Sequence, residues 1–275
     1  KRQVRFNEKW ALGGFHFLNS FADLGASDEH NKFAADYVRD KIRSIVNDSD
    51  TAELLCPDQV IGCKRLCVDT GYFETFNRDS VTLVSVKEHP IEKITEKGLV
   101  TNGQEYEFDV IVFATGFDAM TGSLLSIDIK GRNGQPLREK WEAGPRTYLG
   151  LQTHGFPNLF TISGPGSPSV LTNMVVSIEQ HVNWINRCIN HMRFNKMNYI
   201  EAELAAEDAW VEHNNSISEL TLFPKCNSWY LGANVPGKPR VFMPYVGGFP
   251  AYVEKCEAVV AKGYDGFVMQ NRVPA

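Results

Sequence analysis

DVIVFATGFD, residues 109–118, decides how the rest of the chain is read. The β-formers Val110, Ile111, Val112 and Phe113 run directly into Ala114-Thr115-Gly116. A short apolar strand stopped by small residues and a glycine suits a place where backbone passes close to a ligand, because glycine adds no Cβ. In chains that bind two dinucleotides, such a strand leaves one nucleotide-binding domain and re-enters the other. Each of those domains opens with G-x-G-x-x-G after its first strand. No such motif occurs in this sequence, so an exit signature stands without an entrance.

Composition narrows the classes. With 275 residues, the chain has material for one large domain or two modest ones. It is 43% hydrophobic and 22% charged, ordinary for a globular protein. A net charge of −5 gives no sign of nucleic acid or an anionic membrane as partner. No apolar run reaches the ~20 residues of a membrane span. The start, KRQVRFNEKW, has no apolar core like that of a secretory signal and no initiator Met, so the expectation is a chain that begins partway through a gene product. Of the six cysteines, Cys63 and Cys67 form the one close pair, and no Cys/His spacing matches a zinc site. Free thiols in a reducing compartment follow, and with them a cytoplasmic location.

Along the chain, residues 1–60 read as mostly helical. The best segment is 27–47, with Ser27 as N-cap, Asp28 and Glu29 in the first turn, and a stripe of Phe33, Tyr37, Val38, Ile42, Ile45 and Val46. From Gly62 the sequence turns β-rich, with strands expected at 81–86, 91–95, 98–102 and 105–116. Residues 158–163, NLFTIS, read as a buried strand followed by GPGSPS and a long helix carrying Met174, Ile178, His181, Val182, Ile185, Ile189 and Met192. A helix over 200–221, a packed loop leading into a strand FMPYV, and a last helix near 251–262 complete the reading.

Three stretches could carry chemistry. In GCKRLCVDTGYFETFNRD (62–79), Lys64 and Arg65 set an ammonium beside a planar guanidinium. Held near a buried site, such an arginine stabilises an anion through charge-assisted hydrogen bonds of ~1.5–3 kcal/mol; on a surface it is merely a basic pair. In NLFTIS–GPGSPS–VLTNMVVSIEQHV, a glycine-rich turn feeds a helix N-terminus, where free N–H groups and the helix dipole favour negative charge. It departs from the dinucleotide fingerprint at Ser169 and at its two prolines, and a rigid turn is the plainer alternative. In SWYLGANVPGKPRVFMPYVGGF (228–249), Trp229 and Tyr230 precede a loop with turn chemistry, suited either to a mobile cover or to surface packing. Tyr148–His154 has an aromatic-x-G-x-x-x-H spacing of its own, while His181 and His213 read as helix positions on a polar face or in a satisfied core.

Taken in order, GCKR…YFETFNRD, ATGFDAMTG, WEAGPRTYLGL, GPGSPSVLTNM…SIEQHV and SWYLGANVPGKP resemble the C-terminal half of a type I Baeyer–Villiger monooxygenase, the FAD- and NADPH-dependent family that includes phenylacetone, steroid and cyclohexanone monooxygenases. The joint occurrence is far more specific than any one motif. The resemblance implies an α/β fold: the C-terminal part of a Rossmann-like flavoprotein with two dinucleotide-binding domains and a helical insertion. It assigns 1–61 to the insertion, 62–112 to the end of the NADP-binding domain, and 113–275 to the closing part of the FAD-binding domain, with a control loop near 224–242.

The resemblance also implies roles. Arg65 matches the family's catalytic arginine, which stabilises a flavin C4a-peroxide and the intermediate that follows, and so also contacts the cofactor. Lys64 matches a contact to the NADP 2′-phosphate, and Trp229 the tryptophan of a loop that folds over NADP. Thr115 and Gly116 fall at the crossing between domains, and Asn173 and Met174 beside FAD. Ser169, Val170, Leu171 and Met243 match the lining of the ketone pocket, and no metal is implied. The cofactors implied are FAD and NADP(H), and the reaction inserts one oxygen atom of O2 beside a ketone carbonyl, giving an ester or lactone.

The departures are equally specific. The family's two G-x-G-x-x-G motifs and its F-x-G-x-x-x-H-x-x-x-W fingerprint lie upstream of the arginine, and none is present. The Tyr148–His154 stretch sits on the wrong side of ATG and has Asn158 where the Trp belongs. The expectation is therefore another ~200 or more residues carrying both glycine motifs, without which this part binds neither cofactor well. Two alternatives stand beside it: a related N- or S-oxidising flavin monooxygenase, and, for a complete chain, a non-catalytic interaction module.

Overall fold

Helix formation in the first 55 residues follows local signals in the sequence. The structure is a computed structural model that describes residues 1–271. It separates into two compact units, Lys1–Gly116 and a second that runs from Phe117.

In the first unit, α1 (Arg2–Leu12), α2 (Asp28–Ile45) and α3 (Ser49–Leu55) are followed by the single turn α4 (Tyr72–Thr75). Ser27 caps α2 as expected, its Oγ accepting from His30 N at 3.3 Å. The buried face of α2 is Asn31, Ala34, Ala35, Tyr37 and Ile42. The expected stripe is thus rotated: Phe33 lies outside it, 39% exposed, with the Arg2 guanidinium 4.3 Å over its ring. Phe6, Phe17 and Tyr37 pack together with ring centroids 5.2–5.6 Å apart. Three short strands, β1 (Ile91–Ile94), β2 (Gly98–Thr101) and β3 (Gln104–Glu107), form an antiparallel meander. Thr101 pairs with Gln104 across a two-residue Asn102-Gly103 turn in which both φ are positive, matching the right-handed twist of the strands.

Other expected strands fail here for one reason. Residues 81–86 and 109–116 join no strand ladder among the described residues, and several of their apolar side chains stay exposed: Val110 is 75% and Val112 80% exposed. β-propensity expresses packing against neighbouring strands and is idle without a partner.

In the second unit come first the single turns α5 (Gly122–Leu125) and α6 (Leu137–Lys140). They precede α7 (Met174–Phe194), β4 (Tyr199–Ala202), α8 (Leu204–Glu219), α9 (Phe249–Ala261) and β5 (Phe267–Gln270). β4 and β5 form an antiparallel pair, so the helix expected over 200–221 gives its start to a strand. Residues 158–163 are not a strand, because Asn158 and Ser163 both adopt positive φ. FMPYV is likewise irregular, and Pro244 has no N–H to give a ladder. The core gathers Leu149, Leu151, Trp184, Ile200, Tyr252 and Cys256, each at most 1% exposed. Burying side chains of this size contributes roughly 1.5–3 kcal/mol each. Cys56, Cys67, Cys188 and Cys256 are free thiols, as expected; the expectation is not met at Cys63 and Cys226. No helix among the described residues is long and apolar enough to cross a membrane.

Candidate functional site

The expected site residues divide between the two units. Lys64, Arg65, Thr115 and Gly116 belong to the first; Ser169, Val170, Leu171, Asn173, Met174, Trp229 and Met243 belong to the second.

In the first unit, Lys64 and Arg65 are exposed residues of an irregular segment. On its N-terminal side that segment is held by Asn31, a buried polar residue on α2. Its amide donates to Leu24 O and Ile61 O at 2.9 Å each, and its Oδ1 accepts from Ile61 N at 2.9 Å. Both backbone groups of Ile61 are thereby held three residues before Lys64. Sequence reading missed Asn31; the available signal was a lone amide among the apolar positions of α2. Thr115 and Gly116 are exposed, and Gly116 has φ +85°, a backbone state glycine enters without strain.

In the second unit, the loop Gly164–Ser169 is locked from several directions. Thr147 Oγ1 donates to Pro165 O at 2.6 Å and Trp210 Nε1 to Gly166 O at 3.0 Å. The backbone of FMPYV runs beside it: Gly166 N donates to Met243 O and Tyr245 N to Ser167 O, both at 2.7 Å. Gly150, at φ +71°, lies so close that an added Cβ would sit 2.7 Å from Ser167 N. Just before the loop, Ser163 N donates to His181 Nδ1 at 2.9 Å.

His181 is fully buried. Since Nδ1 accepts, the ring proton sits on Nε2, which is 2.9 Å from the Tyr252 hydroxyl; that hydroxyl in turn donates to Leu149 O at 2.6 Å. Burial pulls the His181 pKa down to about 4. The expectation of a satisfied core histidine holds. Burial likewise raises Tyr252 well above the usual phenol range and Cys256 to about 12.

The loop ends in a single tight turn, Ser169–Leu171, where Ser169 is buried at φ +44° and its hydroxyl lies 3.7 Å from Met120 Sδ. Asn173 then caps α7, its Oδ1 accepting from Val175 N and Val176 N at 3.1 and 3.4 Å. Met174 is the first helical residue, and Val175 and Val176 beside it are 64% and 43% exposed. A firmly held loop therefore delivers the positive end of a 21-residue helix to an open, apolar surface. Met243 is buried beneath the loop and, with Pro165, Gly166 and Asn214, lines a cavity of about 20 Å3. That is room for about one water and not for a ketone.

Trp229 opens a tight turn capped by Ser228, whose Oγ accepts from Tyr230 N at 3.2 Å. Its ring rests on Tyr230 with centroids 4.3 Å apart. Tyr148–His154, the stretch that imitates a fingerprint, serves the fold. His154 N donates to the buried Glu207 carboxylate at 2.7 Å, and its Nδ1 donates to Ala202 O at 2.9 Å. Glu207 also takes Lys140 Nζ at 2.7 Å and lies 3.5 Å from Arg146 Nε. Burial alone would raise the pKa of nearby Glu201; hydrogen bonds from Tyr199 and Gly155 N, with the charge of Arg132, leave it lowered.

No family model matches the chain, but individual proteins do. It is 40% identical over 271 residues to a Baeyer–Villiger monooxygenase of Pseudooceanicola batsensis, covering 98% of this chain and 49% of that protein. Over 98% of its length the chain is similar to Baeyer–Villiger monooxygenases. A phenazine N-monooxygenase of Lysobacter antibioticus is 38% identical over 274 residues, covering 98% of this chain and 50% of that one. Among solved structures, OTEMO in complex with FAD and NADP superposes with a TM-score of 0.92 at 41% identity, over 98% of this chain and 50% of the other. The fold is thus that of an α/β flavoprotein part, and the chain spans about half the length of the Baeyer–Villiger relatives it matches.

Proposed function

We propose that this chain is the C-terminal half of a Baeyer–Villiger monooxygenase, whose whole protein inserts one oxygen atom of O2 beside a ketone carbonyl at the expense of NADPH. The observation that carries this reading is the locked Gly164–Ser169 loop leading into the capped, open N-terminus of α7. Fixed N–H dipoles at that place favour a ring that gains negative charge on reduction, and the flanking valines favour its flat apolar surface. Bound there, FAD reduced by NADPH would supply the activation of O2. Asn173, Met174, Thr115 and Gly116 would hold it. Lys64 would take the 2′-phosphate of NADP as a point charge, and Trp229 would cover the nucleotide and keep water out.

Arg65 is the catalytic residue in this reading. Its guanidinium is a planar cation with several N–H donors, so it can hold a reacting oxygen in the anionic form that attacks a carbonyl. Ser169, Val170, Leu171 and Met243 would form one wall of the ketone pocket, with space for bulky cyclic ketones once the remaining wall is in place. Residues 1–61 would be a helical insertion, 62–112 the end of the NADP-binding domain, and the remainder the closing part of the FAD-binding domain. The exposed apolar residues Val110, Val112 and Phe113, which join no ladder among the described residues, support strands supplied by an N-terminal segment that carries both glycine motifs. A cytoplasmic location rests on the four free thiols Cys56, Cys67, Cys188 and Cys256, and Cys63 and Cys226 count against it.

The test is a visible spectrum of the native protein and its NADPH consumption with and without a cyclic ketone. Flavin absorbance with ketone-dependent NADPH loss, yielding an ester or lactone, is the expected result. Oxidation confined to nitrogen or sulfur would move the assignment to the reaction type named for the phenazine relative. A colourless protein would leave an interaction module.

A further inference from the structure

The loop that carries Trp229 is tied to the segment that follows Gly116, and both partners lie within the second unit. Asn234 Nδ2 donates to Phe117 O at 2.8 Å. Lys238 Nζ pairs with the Asp118 carboxylate and donates to Ala119 O at 3.3 Å. Two loop residues thus grip three consecutive residues, two of them by backbone carbonyls that no change of side chain removes.

The lysine is seated by more than its charge. Its side chain is only 12% exposed, against 42% for Asp118. Its stem crosses Gly232, where an added Cβ would lie 2.9 Å from Lys238 Cδ. Gly232 ends the turn begun by Trp229, its N–H donating to Trp229 O at 3.0 Å. Asp118 is backed in the same way by Gly122, where an added Cβ would meet its side chain at 2.7 Å. One lysine therefore connects the glycine that closes the tryptophan's turn to an aspartate fixed two residues beyond the ATG turn. A casual surface pair has none of this support, and its contribution would be close to nothing.

We propose that Lys238 and Asn234 are positioning residues, which hold the Trp229 loop against Phe117–Ala119 and so preset it for its nucleotide. The nucleotide part of this statement rests on the role assigned to Trp229 above; the mechanical part does not. A loop already fixed has less conformational entropy to lose on binding, so release of the latch weakens affinity without removing a ligand contact.

Hydrogen exchange of the full chain tests the mechanical part without any ligand. Lys238→Met keeps the stem and removes the cation; Asp118→Asn removes the other charge. In both, amides of residues 230–239 should exchange at least tenfold faster while those of α8 stay within twofold. Lys238→Arg, or the exchanged pair Asp118→Lys with Lys238→Asp, should recover most of the protection. Unchanged loop exchange in both single variants, or an equal rise throughout α8, overturns the latch. In the flavin-loaded enzyme, Lys238→Met should raise KM for NADPH about tenfold, more than it lowers kcat. Faster exchange with an unaltered KM would retain the latch and refute the nucleotide role of the loop.

Discussion

Acidification should weaken the second unit in a way that traces to one side chain. His181 has a pKa of about 4 in the folded chain because burial disfavours its charged form, and its geometry adds a second reason. Nδ1 accepts from Ser163 N at 2.9 Å, so a proton arriving there would face an N–H donor and break that bond. In the unfolded chain the imidazole returns to its ordinary value of 6.5. Above pH 6.5 both states are neutral and the full stability is present. As pH falls from 6.5 towards 4, the unfolded chain takes up a proton that the folded chain refuses, and stability drops by about 1.4 kcal/mol per pH unit. By pH 4 the loss attributable to His181 is about 3 kcal/mol. The assay is urea unfolding followed by tryptophan fluorescence, since four of the five tryptophans (Trp141, Trp184, Trp210 and Trp229) lie in this unit. His181→Gln keeps an acceptor for Ser163 and cannot titrate. It should be less stable at pH 7, yet lose about 3 kcal/mol less than the parent between pH 7 and pH 4. Carboxylates and His213 titrate alike in both proteins and cancel. Parallel pH profiles for the two would refute the reasoning.

Three further outcomes are expected. Arg65→Ala should slow ketone oxygenation by at least ~10²-fold, in line with the loss of a charge-stabilising donor, and near-normal turnover would remove Arg65 from the catalytic role. Glu207→Gln should cost about 3 kcal/mol in denaturant unfolding, because Lys140, 14% exposed, loses its counter-charge while the acceptor for His154 N is kept. Gly150→Ala should destabilise by at least about 2 kcal/mol and shift the Gly164–Ser169 loop, since its φ is +71° and the added Cβ meets Ser167 N at 2.7 Å; an unshifted melting curve would show that the loop yields freely.

What could be read in advance depended on whether the signal was local. Ser27 with Asp28 and Glu29 located the start of α2, and the apolar spacing from Met174 located α7 at its first residue, because caps and helical periodicity act within one turn. Strands depend on partners elsewhere, so 81–86 and 109–113 carried every mark of a strand and found no ladder. Burial of charge was equally hidden: of 33 acidic residues, nothing in the order of letters singles out Glu207 or Glu201. The family motifs, by contrast, were legible as letters while the reasons for them were not. GPGSPS read as an anion-binding turn or a rigid one, and its rigidity comes from Thr147, Met243, Tyr245 and Trp210, all distant in sequence.

That last contrast bears on the chemistry. A turn held by its own residues could adapt to whatever binds it. One held by backbone bonds from 243 and 245 and by side chains from 147 and 210 keeps its shape before any ligand arrives. Preorganised dipoles cost no reorganisation at the moment of reaction, and that is where fixed N–H groups contribute most. DVIVFATGFD shows the complementary case. Val110 and Val112, 75% and 80% exposed, join no ladder among the described residues, while the end of the stretch, Phe117 and Asp118, is held by Asn234 and Lys238. The N-terminus of α7 is built within this chain, whereas residues 109–113 form no ladder among the described residues. Cofactor affinity should accordingly appear only when an N-terminal segment carrying the glycine motifs is supplied, and flavin binding by these 275 residues alone would contradict that division.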